Sequence, residues 1–276
     1  MKKILVPTDF SPKAENALKV AAQLARRHNA EIYLLHMLEL PLALVDPMSG
    51  GSAKQLPEAL FFMKLAKKRF KELMSRDYLE GVKVHETVEF HQAFEGIMEI
   101  SEKYNCDMII MGSHGASGLK EIFIGSNAGK VIRNSTIPVL IIKNEHPEFK
   151  VSKIVFATDC DLKNKHTLNM AKNFAEKMDA SLDLVYINTA NNFMIEDEAQ
   201  KCLEDFVKGE DLKNHSLNIY NDVSVEKGLL NFSNSINADL IGISTHGRKG
   251  LDHFFNGSIS EDLVNHANMP IITFKI

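Results

Sequence analysis

The chain lacks an excess of either charge: 32 Lys and Arg against 36 Asp and Glu leave a formal net charge of −4 over 276 residues. Non-specific binding to nucleic acid or to an anionic membrane needs a basic surface, so neither partner is expected. No apolar run approaches membrane-spanning length, and Met1-Lys2-Lys3 leads straight into a short strand pattern without a secretory hydrophobic region. The expected address is cytoplasmic. Cysteine is scarce: Cys106, Cys160 and Cys202 form no CxxC pair and have no histidine at metal-ligand spacing. That argues against a disulfide framework and a zinc site, and leaves three buried or incidental thiols.

What the chain does contain is a duplication. Met111-Gly112-Ser113-His114-Gly115-Ala116-Ser117-Gly118-Leu119, followed by Gly125-Ser126, is matched 132 residues later by Ile243-Ser244-Thr245-His246-Gly247-Arg248-Lys249-Gly250-Leu251 and Gly257-Ser258. At the start of each half, Ile4-Leu5-Val6-Pro7-Thr8-Asp9 parallels Ile154-Val155-Phe156-Ala157-Thr158-Asp159 at a spacing of 150. The second copy is therefore shorter by 18 residues. The breaker-rich stretch from Pro41 to Pro57 of the first copy is where they are expected to be missing, and it reads equally as a lid or as an idle surface insertion. A content of 45% hydrophobic residues suffices for two cores, and the polar junction around His146 and Pro147 divides the chain into domains 1–146 and 147–276.

Within the first half, short apolar runs alternate with helical periodicity, the signature of a parallel sheet with crossover helices. Strands are expected at Lys3 to Pro7, Ile32 to Met37, Val82 to Glu89, Met108 to Gly112 and Val139 to Lys143. Helices are expected after Ser11-Pro12, from Pro57 to Arg76, from Gln92 to Tyr104 and from Ser126. The second half repeats the order, with strands at Lys153 to Ala157, Leu182 to Ile187, Leu217 to Asn221, Leu240 to Ser244 and Ile271 to Phe274.

The loop after each fourth strand carries the chemistry. Gly112 and Gly115 permit a tight backbone path, and Gly125-Ser126 opens a helix whose unpaired N–H groups and partial positive charge suit an anion such as phosphate. In a doubly wound sheet a ligand sits at the carboxyl ends of the strands, where Asp9 would share the edge with the Gly112 loop and accept hydrogen bonds from a ribose or an adenine amine. No Gly-Lys-Ser/Thr follows, and the glycines follow the fourth strand, so neither the P-loop nor the dinucleotide fingerprint fits. On the residues alone, these glycines serve equally as turn punctuation or as a ligand cradle, and His114 and His246 read as hydrogen-bonding or solvent-facing loop residues sooner than as catalytic bases.

Val6-Pro7-Thr8-Asp9-Phe10-Ser11, Leu34-Leu35-His36-Met37, the strand ending in Gly112-Ser113-His114-Gly115 and the Gly112-x2-Gly115-x9-Gly125-Ser126 spacing together resemble the universal stress protein family, over both halves. The resemblance implies two tandem doubly wound α/β domains, each a five-stranded parallel sheet of order 3-2-1-4-5 flanked by helices and adenine nucleotide alpha hydrolase-like. It also implies ATP or AMP as ligand, with or without Mg²⁺. Pro7, Thr8 and Asp9 would lie near adenine and ribose, with Met37 against the base. Met111, Gly112, His114, Gly115, Gly125, Ser126, Asn127 and Ala128 would complete the site along ribose and phosphates. Asp159, Ile187, Gly247, Gly257 and Ser258 hold matching positions in the second half. There Ser244 replaces Gly112, Ala157 replaces Pro7 and Asp262 replaces Lys130, so the first site is expected to be the better one despite the extra cations Arg248 and Lys249. The last strands of the two halves are expected to pair with one another, and a homodimer is a further option.

The leading functional expectation is a nucleotide-dependent stress-response sensor or scaffold. Slow ATP hydrolysis is one alternative, although phosphoryl transfer calls for a metal-holding carboxylate and a cationic clamp. A module binding a non-nucleotide ligand or a protein is the other, with Met37, Met48 and Met63 suiting an adaptable apolar pocket.

Overall fold

A computed structural model describes residues 1–38, 56–90, 92–113, 125–245 and 263–276. The stretch Pro41 to 55, His114, Gly115, His246, Gly247, Arg248, Lys249, Gly257, Ser258 and Asp262 lie outside the described residues.

The chain divides into two compact units: residues 1–121, 125–131 and 144–148 form one, and 122–124, 132–143 and 149–276 the other. In the first, β1 (Lys3–Pro7), β2 (Glu31–Met37), β3 (Val84–Glu89) and β4 (Met108–Gly112) form a parallel sheet in the order β3-β2-β1-β4. Helices α1 (Pro12–His28), α2 (Leu56–Met74) and α3 (Ala93–Lys103) cross over between them. Helix α4 (Ser126–Asn134) follows β4 and the glycine loop.

In the second unit the order is β5 (Val139–Ile142), β10 (Ile271–Lys275), β9 (Leu240–Thr245), β6 (Lys153–Ala157), β7 (Ser181–Asn188) and β8 (His215–Asn221). All neighbours are parallel except β5 and β10, which run antiparallel with Leu140 opposite Ile272. Helices α5 (Lys165–Met178), α6 (Glu196–Val207) and α7 (Val225–Ser235) complete the crossovers. β5 closes the first repeat in sequence but belongs to the second compact unit, together with the last residues of α4, so repeat boundary and compact unit differ by the stretch 132–143. The second repeat alone gives β8-β7-β6-β9-β10, which is the order 3-2-1-4-5.

Central strands are buried on both faces, as crossover helices on each side require: every residue of β4 and β9 is buried. Helix α1 starts where Ser11 Oγ accepts the Ala14 N–H and Pro12 occupies the first turn. It ends at Asn29, whose φ of 50° turns the chain out of the helix. Five of the eight residues in its buried stripe are alanine, which lets the helix lie close to the sheet.

The duplication is visible in single hydrogen bonds. Asp107 Oδ2 accepts the Lys3 N–H at 2.9 Å, and Asp239 Oδ2 accepts the Lys153 N–H at 2.9 Å. Lys3 Nζ donates to Tyr104 O at 2.9 Å, and Lys153 Nζ to Ile236 O at 2.8 Å. Left-handed backbone recurs at Phe10 and Cys160, Asn29 and Asp179, and Asn105 and Asn237.

Two strand starts differ from expectation by two residues, and other element ends by one or two. β3 begins at Val84 rather than Val82, because the Val82 N–H closes a turn on Leu79 O (3.0 Å) and Gly81 takes a φ of +72°. β8 begins at His215, two residues earlier than the apolar pattern starting at Leu217, since pairing with β7 reaches from Leu182 opposite His215 to Asn188 opposite Asn221.

Candidate functional site

At the carboxyl end of β1 the chain turns sharply. The Thr8 N–H donates to Leu35 O at 2.7 Å, the Phe10 N–H to Thr8 Oγ1 at 3.0 Å and the Ser11 N–H to Asp9 Oδ1 at 3.0 Å. His36 Nδ1 lies 2.8 Å from Thr8 O and must therefore carry the proton that this carbonyl accepts. The turn forces Phe10 to a φ of 62°, a cost that a packed surround must offset. Phe10 is held by His36 and Phe70, with ring centroids 4.5 and 5.2 Å away.

The second repeat has the same turn. The Cys160 N–H donates to Thr158 Oγ1 at 3.0 Å, the Asp161 N–H to Asp159 Oδ1 at 3.0 Å and the Thr158 N–H to Val185 O at 3.1 Å. An aspartate presented at the end of the first strand by a strained turn is thus a duplicated device.

In the first unit this turn opens onto a cavity of about 350 Å³. Its walls are Pro7, Thr8, Asp9 and Ala14 from the turn and α1, Leu35 and Met37 from β2, and Ala93 and Ile97 from α3. Met111 and Gly112 from β4 and Gly125, Ser126, Asn127 and Ala128 at the start of α4 complete them. Ten residues singled out from the sequence meet here: Pro7, Thr8, Asp9, Met37, Met111, Gly112, Gly125, Ser126, Asn127 and Ala128. His114 and Gly115 lie outside the described residues. Ala14, Leu35, Ala93 and Ile97 escaped the sequence reading. Leu35 was findable, since it sits two residues before Met37 on the same face of β2, and Ala93 and Ile97 share one face of α3 at a spacing of four.

The cavity offers two chemistries. Leu35, Met37, Ile97 and Met111 supply apolar wall, and the first turn of α4 supplies N–H groups without intrahelical acceptors, pointing out of its amino end. The Gly125 N–H donates to Ser113 O at 2.8 Å, which fixes the approach to that helix.

The role of Gly112 needs revision. A Cβ there would lie 3.0 Å from the backbone carbon and oxygen of Lys13 and 3.2 Å from Ala14 N, so helix α1 demands the glycine, independently of any ligand. In the second repeat Ser244 is accommodated by the protein itself. Its Oγ donates to Thr167 Oγ1 at 2.8 Å, and a 3₁₀ turn, Leu162–Asn164, precedes α5 where α1 begins directly at Pro12. Lys163 and Asn164, the matches of Lys13 and Ala14, are thereby moved out of the α-helix proper. Ser244 is thus no steric argument against a second ligand site. Asp159 follows β6 as Asp9 follows β1, and Ile187 lies on β7 where Met37 lies on β2.

A parallel doubly wound sheet with its crevice at the strands' carboxyl ends, built twice along one chain, narrows the class to tandem α/β domains of one kind. The chain belongs to the universal stress protein family: the family model matches residues 1–143 and again 150–275. It is 35% identical over 152 residues to universal stress protein MJ0531 of Methanocaldococcus jannaschii, covering 53% of this chain and 85% of that one. It is also 35% identical over 156 residues to MJ0577 of the same organism, covering 52% and 96%. A crystal structure of a universal stress protein from Archaeoglobus fulgidus superposes with a TM-score of 0.73 at 22% identity, covering 99% of this chain and 96% of that one, and supports the fold. Among the described residues no helix is long and apolar enough to cross a membrane.

Proposed function

We propose that the first unit binds an adenine nucleotide, ATP or AMP, and that occupancy is what the protein senses in a stress response. The observation that carries this reading is the convergence, on one cavity of about 350 Å³, of the Asp9 turn, an apolar wall and the amino end of α4. The volume lies in the range usual for small-molecule sites, roughly 300–1,000 Å³. A base would pack between Met37 and Ile97, the Asp9 carboxylate would accept from ribose hydroxyls, and the phosphates would lie at Ser126 and Asn127, where helix N–H groups and the dipole favour negative charge. Asp159 would play the part of Asp9 in the second repeat. Of the described residues lining the cavity, Asp9 alone is acidic, so binding without rapid hydrolysis is the simpler reading.

The test is calorimetry with ATP and with AMP, each in Mg²⁺, on the wild type, Asp9→Ala and Asp159→Ala, with ADP release followed in the same samples. Heat that disappears with Asp9→Ala supports the reading. No heat with either nucleotide overturns it, and ADP release coupled to binding would turn the sensor into a slow ATPase.

A further inference from the structure

Helices α2 and α6 hold the same place in the two repeats, each crossing from the second strand to the third. Their buried stripes, Ala66, Phe70 and Leu73 on α2 and Ala199, Leu203 and Phe206 on α6, match at a constant spacing of 133. Their outward faces carry opposite charge. From Leu60 on, α2 exposes Lys64, Lys67, Lys68, Arg69 and Lys71, with Glu72 as the one acid. Helix α6 exposes Glu196, Asp197, Glu198, Glu204 and Asp205, with Lys201 as the one cation. At the same spacing, Lys64 stands where the second repeat has Asp197, and Lys71 where it has Glu204. Glu72 pairs with Lys68 (4.0 Å) and Arg69 (3.9 Å), and no other ion pair involves either face among the described residues.

Apolar side chains stand out on the same two faces. Of the seven large hydrophobic residues exposed among the described residues, Leu60, Phe61 and Leu65 are on α2, and Phe193 and Ile195 lie in the three residues before α6. Clustered exposure of this kind marks an interaction site, where scattered single residues would not. The Met194 N–H donates to Asn188 Oδ1 at 2.9 Å and Asn188 Nδ2 to Met194 O at 3.0 Å, so the backbone that presents Phe193 and Ile195 is pinned on both sides.

We propose that the α2 face of one copy of this chain docks on the α6 face of a second copy. Exposed ion pairs add little in water, so covering Leu60, Phe61, Phe193 and Ile195 supplies the attraction. The charges select the partner: like charge keeps α2 from α2 and α6 from α6, and opposite charge admits α2 with α6. The contact is therefore heterologous, joining the first repeat of one copy to the second repeat of the other. An anionic lipid surface would answer α2 and leave α6 unanswered, whereas a second copy answers both. The near balance of charge over the whole chain conceals these two patches of opposite sign.

The experiment is sedimentation velocity on the full-length protein at low and high salt, with charge reversals at matched exposed positions: Lys64→Glu with Lys71→Glu on α2, and Asp197→Lys with Glu204→Lys on α6. The wild type should sediment above its monomer mass at low salt and shift toward it at high salt, where the charges are screened. Each reversed protein, with its circular dichroism unchanged, should run as a monomer alone. An equimolar mixture of the two should associate again, because the reversed faces complement one another. Phe61→Ser keeps every charge and should weaken association by about tenfold or more. A monomeric wild type would overturn the proposal, and flotation of that monomer with phosphatidylglycerol vesicles would give α2 to a lipid surface instead. Reversals that leave the association in place, an unchanged Phe61→Ser, or a mixture of folded reversals that stays monomeric would equally overturn it. If one reversal does not fold, the other and Phe61→Ser decide.

Discussion

Gly112 at the end of β4 faces Lys13 in the first turn of α1 so closely that a Cβ would stand 3.0 Å from the Lys13 backbone. Backbone cannot swing aside as a flexible side chain can. Gly112→Ala should therefore destabilise the protein by about 1–3 kcal/mol, the usual cost of overpacking, read as a lowered urea midpoint with an unchanged slope. Ser244→Gly is the matched control. Thr167 Oγ1 keeps its own acceptor, Asn164 O at 2.7 Å, so this change should cost no more than about 1 kcal/mol, chiefly the weaker strand propensity of glycine.

Ser11 caps α1 by accepting the Ala14 N–H at 3.3 Å and sits buried beside the Asp9 turn. Ser11→Ala leaves that donor without its cap and should cost about 1 kcal/mol. Ser11→Asp keeps an acceptor, so recovery of the denaturation midpoint with aspartate but not with alanine would identify capping as the cause. Equal loss with both would point to packing instead.

The repeat was legible because it was written in residues whose physics is local: aspartates after the first strands, glycines in the loops, a Ser-Pro helix start. β4 was expected and found at Met108–Gly112 because a four-residue apolar run bounded by Asp107 and Gly112 has few other readings. The 3₁₀ turn at Leu162–Asn164 was not legible. Leu162 stands where the first repeat has Pro12, and the room that Ser244 needs is a tertiary demand absent from the local pattern.

The Ala93 methyl, at the first position of α3, faces the cavity. Ala93→Leu would add three carbons to the cavity rather than to packed core. Nucleotide affinity, if the cavity is the site, should fall by about tenfold or more, equivalent to about 1.4 kcal/mol. The unfolding midpoint should stay close to wild type. Unchanged affinity in a folded Ala93→Leu protein would place the ligand elsewhere.

Burial pushes the Cys106 thiol from an ordinary 9.0 up to about 11, against a smaller pull downward from Lys3. The folded state thus holds this proton more tightly than the unfolded chain does. Its contribution to stability is complete below about pH 9 and is lost as the pH rises toward 11, because the unfolded thiol ionises first and draws the equilibrium with it. Cys106→Ala removes the group, at the cost of a small cavity that weighs equally at every pH. Urea midpoints measured at about pH 8 and about pH 10.5 should therefore converge, with the wild-type advantage over Cys106→Ala shrinking at the higher pH. A constant difference between the two proteins across that window would show that the thiol titrates alike in both states, and so that it is less shielded than its place between β4 and α3 indicates.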